Sequence, residues 1–176
     1  METTNEVYPD IEKKEYGGFW IRVAAYLIDS IIIGIPLSII SFLILLFFFG
    51  TSDITYLIMA DPAYMETGMT DEEALSFLLT YLGAIIVTSI ISIIIAVAYF
   101  AGLHASKWQA TIGKKALGLK VTDLKGERIS FWRGLGRYLA MSFLSGILFI
   151  GYIMVGITEK KQGLHDLIAG TMIIKK

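Results

Sequence analysis

The chain has 176 residues, of which 55% are hydrophobic and 18% charged, with a formal net charge of −1 and a mean hydropathy of +0.66. A soluble domain needs less apolar sequence to fill one core, so this composition predicts an integral membrane protein with no room for a separate soluble enzyme domain. Because the chain has no cysteine, disulfides, a thiolate nucleophile and cysteine-ligated metal centres are excluded.

The chain begins with an acidic tail, residues 1–16, and residues 17–176 are predicted to form a single membrane domain. The first predicted helix covers about 19–49 and includes Val23 to Phe49, where Asp29 is the only charged residue. This run exceeds both the roughly 20 residues needed to span a bilayer and the length of a signal-peptide core, so we expect an uncleaved membrane helix. Residues 75–103 carry no charge and predict a second membrane helix.

The two loops between the hydrophobic segments differ in charge. Residues 50–74 contain six acidic residues and no lysine or arginine, whereas residues 104–134 contain seven basic residues and two acidic ones. The positive-inside rule therefore places the first loop outside and the second loop inside. The same rule predicts a cytoplasmic amino terminus.

A third hydrophobic segment, residues 135–158, leaves two interpretations open. A simple span would carry the basic carboxyl-terminal segment, residues 159–176, to the outside, against the positive-inside rule. A re-entrant hairpin broken at Gly146 and Gly151 would avoid this conflict, provided that its backbone is buried in protein. The side of the carboxyl terminus follows from this choice.

The inner loop contains one stretch with the alternation of a β-strand. Leu117 to Ser130 alternates apolar and polar residues around Asp123 to Gly126, which predicts a short hairpin at the membrane surface. The expected fold is therefore an all-α integral membrane protein with two long transmembrane helices, a third helical segment and a hairpin-like cytoplasmic loop.

Asp29 is the first candidate functional residue. It lies about 9 Å along the helix axis from the start of the apolar run, where an ionised carboxylate costs roughly 2.5–3.5 kcal/mol. Asp29 either binds a proton or cation, or it is a structural ion pair or hydrogen-bonded acid that holds helices together, with Arg137 as a candidate partner. We favour the structural role. Arg22 is about 10.5 Å away along the axis, so we expect it to hold a phosphate or a carboxylate at the inner surface.

His165 and Asp166 form the second candidate site, in the sequence "KKQGLHDLIAGT". A histidine beside a carboxylate suits proton relay or cation coordination, because histidine titrates near neutral pH. The alternative, which we prefer, is a helix start in which Asp166 accepts backbone N–H groups or pairs with an arginine.

Other chemistry finds no support in the sequence. The segment "ATIGKKALG" lacks the residues of a nucleotide-binding loop, and neither histidine has the spacing of a metal site. No nucleophile motif stands out, so we predict no enzyme activity, no cofactor and no metal. The basic inner loop favours anionic lipid headgroups over nucleic acid because it adjoins membrane helices.

Together, three segments resemble the RDD family of bacterial membrane proteins, named for one arginine and two aspartates. They are "GFWIRVAAYLIDSII", "TIGKKALGLKVTDLKGERISFWRGLGRYL" and "KKQGLHDLIAGTMII", in which Arg22, Asp29 and Asp166 match the family residues. The resemblance implies a multi-pass protein of the bacterial inner membrane. It also implies transport of unidentified ligands, and sodium–proton exchange is associated with some members of the family.

Two functions follow as expectations. In the first, the protein exchanges Na⁺ for H⁺ at Asp29, with Asp166 and His165 passing protons and Arg22 and Arg137 tuning the site, and it forms a homo-oligomer that encloses a pathway. In the second, it is a non-catalytic membrane subunit or regulator that binds another membrane protein. Arg22, Asp29 and Asp166 are then a structural polar lock.

Overall fold

A computed structural model describes residues 15–60, 69–145 and 150–176. Most of the predicted acidic tail, part of the outer loop and Gly146 lie outside these ranges. The chain divides into two compact units: one contains the residues up to Asp29 and from Phe100 onward, and the other contains Ser30–Tyr99.

Two long apolar helices form where the sequence predicts membrane segments. Helix α1 covers Phe19–Gly50, and α3 begins at Asp71 and continues as an α-helix to Val97. A π-helical turn, Ala98–Gly102, and a short α-helical turn, Leu103–Ala105, extend α3 without interruption. Each helix is long and apolar enough to cross a membrane, since 32 residues alone give about 48 Å.

The unit of residues 30–99 consists of most of α1 and α3 and a short helix between them, α2, at Asp53–Ala60. Phe49 packs against Phe77 with ring centroids 5.6 Å apart. Thr70 starts α3 with a capping box, in which its hydroxyl accepts from the Glu73 N–H and the Glu73 carboxylate accepts from the Thr70 N–H. The acidic residues that follow Thr70 suit the positive end of the helix dipole.

The other unit contains the remaining elements. After α4, Ile112–Ala116, come strand β1, Leu119–Asp123, and helix α5, Phe131–Ala140. Ser130 caps α5 by accepting from the Arg133 N–H, and a π-helical turn, Met141–Ser145, follows the helix. The chain ends with three short elements: α6 at Ile150–Ile157, α7 at Leu164–Ala169 and β2 at Thr171–Lys175.

The predicted hairpin of the inner loop is wrong in its pairing. Strand β1 forms as expected, but it pairs antiparallel with β2, with Val121 opposite Ile173. A turn does form at Asp123–Gly126, where the Gly126 N–H donates to the Asp123 carbonyl at 3.1 Å. Alternation of apolar residues specifies a strand with one buried face but does not specify its partner, which here lies near the other end of the unit.

A small hydrophobic core explains why β1 pairs with β2. Leu119, Val121 and Ile173 are buried together with Ala25 of α1 and Ile129. Pairing with the carboxyl-terminal strand places β1 against α1, whereas a local hairpin would rely on the polar residues Lys125 to Arg128. Tyr16 extends the same sheet through an antiparallel bridge to Ile174.

In the residues that the structure describes, the third hydrophobic segment does not form one long helix. Its described parts are α5 with its π-helical turn and, after residues 146–149, the eight-residue helix α6. Two candidate spans, α1 and α3, occur among the described residues. Whether this segment re-enters or crosses stays a prediction, and the proposed break at Gly146 lies outside the described residues.

Candidate functional site: a buried arginine–aspartate cluster

Three of the candidate residues meet in one cluster, which we call the Arg–Asp cluster: Arg22, Arg137 and Asp166. Asp166 is fully buried at the start of α7. Its Oδ2 accepts from Arg22 Nη1 at 2.5 Å, and its Oδ1 accepts from Arg137 Nε at 2.8 Å and Nη2 at 2.6 Å. One carboxylate therefore joins α1, α5 and α7.

Backbone and side-chain donors complete the bonding of Asp166. The Gly163 N–H donates to Oδ2 at 3.1 Å, which is the contact that an acid at the third helical position makes in a capping box. The Thr171 hydroxyl lies 3.4 Å from Oδ1 at the start of β2. A buried carboxylate needs several donors to offset its lost hydration, and Asp166 has them from four segments of the chain.

Arg22 uses all of its guanidinium nitrogens inside the unit. Besides its ion pair with Asp166, it donates from Nε to the Gly17 carbonyl at 2.8 Å and from Nη2 to the Lys161 carbonyl at 2.5 Å. The sequence predicted a phosphate or carboxylate partner for Arg22, and the partner is the carboxylate of Asp166. These contacts fix the start of α1 against the segment before α7.

The charges of the cluster shift the pKa values of its neighbours. Burial would raise the pKa of the Asp166 carboxyl, but the charges of Arg137 and Arg22 outweigh burial and hold the pKa below its ordinary value. Burial, then Arg137, lower the pKa of His165 to about 3, against a weaker opposing effect of Asp166. His165 is therefore neutral at neutral pH, with its Nε2 3.7 Å from Asp166 Oδ1.

Asp29 is bonded by a different set of donors. The carboxylate is fully buried, accepting from the Thr111 hydroxyl at 2.6 Å and from the Gly113 N–H at 2.7 Å. A side chain at position 113 would collide with the Ala25 carbonyl and come within 2.9 Å of the Asp29 carboxylate. Glycine is thus required there for the backbone of α4 to reach Asp29.

Two further polar residues lie in this unit, and sequence reasoning missed both. Lys114 Nζ is 3.2 Å from His104 Nε2, and the two residues are 8% and 2% exposed. Burial, followed by the charge of Arg137, lowers the pKa of Lys114 to about 7, although Asp29 and Asp166 act in the opposite direction. The available sequence signal was the pair of adjacent lysines, Lys114 and Lys115, in a short helix. Only one of the two can easily face solvent, so the other faces the interior.

The structure thus groups the candidate residues in two places. Arg22, Arg137, Asp166 and His165 meet around the Arg–Asp cluster. Asp29 is held by Thr111 and Gly113, and Arg137, the partner suggested for Asp29, forms its ion pair with Asp166. Within residues 15–60, 69–145 and 150–176, no three histidine, aspartate or glutamate side chains are grouped to hold a metal ion.

Comparison with known proteins gives a consistent result. The RDD family matches residues 16–170. Uncharacterized protein YxaI of Bacillus subtilis is 46% identical over 90% of this chain and 97% of its own length. Uncharacterized membrane protein YteJ of the same organism is 26% identical over 90% of this chain and 80% of its own length. No solved structure matches.

Proposed function

Because the chain belongs to the RDD family and is a membrane protein, we propose that it is a non-catalytic membrane subunit that binds another membrane protein. The single observation that carries this proposal is the bonding of Asp166, whose carboxylate is shared by Arg22 and Arg137. All three nitrogens of Arg22 are bonded within the unit as well. Residues bonded in this way stabilise a fold and leave little capacity for a substrate.

Exposed apolar residues outside the two long helices support binding of a partner. In α2, between the two candidate spans, Tyr56 and Met59 are both exposed. A short helix with exposed aromatic and apolar side chains suits contact with another membrane protein. A photocrosslinker at position 56 should yield one discrete adduct in native membranes, whereas the same group at the apolar position 39 of α1 should not.

The deciding experiment measures proton movement. Purified protein in proteoliposomes, under imposed gradients of Na⁺, K⁺ or Li⁺, should move no protons if it is a non-catalytic subunit. Asp29→Asn serves as the comparison, because it keeps the shape of the side chain and removes its charge. Cation-dependent flux in the wild type that disappears in a folded Asp29→Asn variant would contradict the proposal.

That contrary result would support the second candidate, exchange of Na⁺ for H⁺ with Asp29 at the site. One observation favours it: burial and neighbouring charges leave Lys114 with a pKa of about 7, so the charge beside Asp29 changes at physiological pH. His165 suits a relay less well, because its pKa of about 3 keeps it neutral. A pathway for exchange would still require a homo-oligomer.

Anionic lipid headgroups at the inner face are a further proposed partner. Arg133 lines an open cleft of about 500 Å³ together with Gly136 and residues of α7, where Leu167 and Ile168 are exposed. An arginine beside apolar side chains suits a phospholipid phosphate and its acyl chain. Phosphatidylglycerol should raise the melting temperature more than phosphatidylcholine does, and Arg133→Gln should reduce this difference while Arg128→Gln does not.

The small sheet supports a membrane topology for this subunit. Tyr16, β1 and β2 are joined by backbone pairing, so the start of α1, the inner loop and the carboxyl terminus belong on one side of the bilayer. In the proposed topology α1 and α3 each cross once, and the third hydrophobic segment enters and returns on that side. The charge distribution makes this side cytoplasmic.

A further inference from the structure

Two nitrogen bases meet in the interior beside the Arg–Asp cluster. Lys114 Nζ of α4 lies 3.2 Å from His104 Nε2 at the end of the α3 extension, and both side chains are more than nine-tenths buried. His104 Nδ1 is buried and has no hydrogen-bond partner among the described residues. Neither residue belongs to the Arg, Asp and Asp signature of the family.

The hydrogen bond between these nitrogens limits how many protons the pair can hold. A protonated lysine and an imidazolium would both be donors, so no hydrogen bond could form and two positive charges would repel. One arrangement has the lysine ammonium donating to Nε2, with the imidazole proton on Nδ1. The other has Nε2–H donating to a neutral lysine amine, with Nδ1 unprotonated.

These two arrangements differ by one proton and by the tautomer of His104. In the first, Nδ1 carries a buried hydrogen that lacks an acceptor, and in the second it carries only a buried lone pair. A buried donor without an acceptor is unfavourable, so the first arrangement, in which Lys114 is charged, is disfavoured. The interior position of the ammonium group acts in the same direction.

Charged groups on the surrounding elements oppose one another at this site. Arg137 of α5 and Arg22 of α1 disfavour a proton on Lys114, whereas Asp29 of α1 and Asp166 of α7 favour it. His165 of α7 also acts electrostatically on the pair, because a charge on it disfavours a proton on His104. Together with burial, these charges bring the pKa of Lys114 from the ordinary lysine value to about 7.

We propose that Lys114 and His104 form a buried proton-binding site that takes up one proton from water near neutral pH, and that proton uptake switches His104 between its two neutral tautomers. On uptake, Lys114 Nζ gains the proton and donates to Nε2, while the imidazole proton is lost from Nε2 and another is gained at Nδ1. The imidazole stays neutral throughout. The site does not depend on whether the protein transports an ion or binds a partner.

Nitrogen-15 NMR of histidine tests this proposal directly, because the chain has only two histidines. Full-length protein labelled at histidine nitrogens, in nanodiscs, is titrated from pH 5 to 9. We expect one histidine to change from the Nδ1–H to the Nε2–H tautomer as the pH rises, with a midpoint near 7. His165→Gln assigns this signal to His104 by removing the other histidine.

Variants on α4 separate the proton site from general effects of charge. Lys114→Met should abolish the tautomer change, whereas Lys115→Met should leave it intact, because the neighbouring Lys115 lies over the Trp108 ring instead. If Lys114→Met does not fold, the wild-type titration alone still decides. A His104 signal that becomes an imidazolium near neutral pH, or that keeps one tautomer from pH 5 to 9, would overturn the proposal.

Discussion

Asp166 is the carboxylate that joins the Arg–Asp cluster. Its two oxygens accept from two guanidinium groups and from the Gly163 N–H, at a position without solvent exposure. Such a group does not have to make the protein more stable than an apolar residue would, because desolvating the ions is costly. Once the arginines are buried with it, however, removal of the carboxylate leaves them uncompensated.

Asp166→Asn should therefore destabilise the protein strongly. The amide keeps one acceptor oxygen but removes the negative charge that balances Arg22 and Arg137, so we expect a loss of roughly 3–5 kcal/mol. Unfolding by denaturant in detergent micelles measures this difference. Glu159→Gln, which neutralises an exposed acid nearby, should change stability by less than about 0.5 kcal/mol, and equal effects of the two variants would show that the cluster is not structural.

His165 should make stability depend on acid. Because its pKa is about 3 in the folded chain and about 6.5 in an unfolded one, the unfolded chain binds more protons between these values. Stability should fall as the pH drops from about 6.5 towards 3. His165→Gln should lose less stability over this range, as measured by melting temperature at pH 7, 6, 5 and 4. Parallel curves for the two proteins would contradict the shift.

The identities of the important residues could be predicted from the sequence, but their pairings could not. Arg22 and Asp166 were recognisable as charges beside apolar runs, yet they are separated by 144 positions and meet only through tertiary folding. Lys114 and His104 were missed because the sequence did not reveal that one face of α4, with Gly113 and Lys114, is buried. Gly113 gave no signal at all, since its importance is the space that it leaves for Asp29.

At the level of elements, the contact between α4 and α1 depends on one glycine. Gly113→Ala places a methyl group against the Ala25 carbonyl and the Asp29 carboxylate, where there is no free space. We expect α4 to shift and the bond from the residue 113 N–H to Asp29 to weaken, with a loss of about 1–3 kcal/mol. Thermal unfolding in detergent measures this loss.

Gly136→Ala is the matched control for that variant. Gly136 lies in α5, and an added methyl group there meets nothing within 4 Å. Alanine favours a helix over glycine by about 1 kcal/mol, so this variant should be neutral or slightly more stable. If both alanine variants change the stability by the same amount, the close contact at position 113 is not the reason that a glycine is needed there.

Long elements could be predicted from the sequence more completely than short ones. The expected helices at about 19–49 and 75–103 correspond to Phe19–Gly50 and to α3 with its extension, because long uncharged runs leave few alternatives. The inner loop was different: its alternation predicted β1, but the choice of β2 as partner depends on burial of Val121 and Ile173 against α1. The alternation of residues within the inner loop contains no information on the contact of the two strands with α1.

For the whole molecule, the sheet favours one of the two paths that charge alone left open for the third hydrophobic segment. Strand β2 pairs with β1, and Ile174 also bridges to Tyr16, just before α1. Paired backbone segments share one aqueous side, since a bilayer cannot lie between hydrogen-bonded strands. We therefore expect the lysines of the carboxyl terminus to lie on the same side as the basic inner loop, in agreement with the positive-inside rule.

Labelling of single cysteines tests this topology, and the chain suits it because it has no cysteine of its own. Lys125→Cys in the inner loop and Lys176→Cys at the carboxyl terminus should both be protected from a membrane-impermeant maleimide added to intact cells. Both should react once the membrane is opened. Thr51→Cys, at the far end of α1, should react in intact cells. If Lys176→Cys reacted like Thr51→Cys, the third segment would cross the bilayer and the sheet could not form in the membrane.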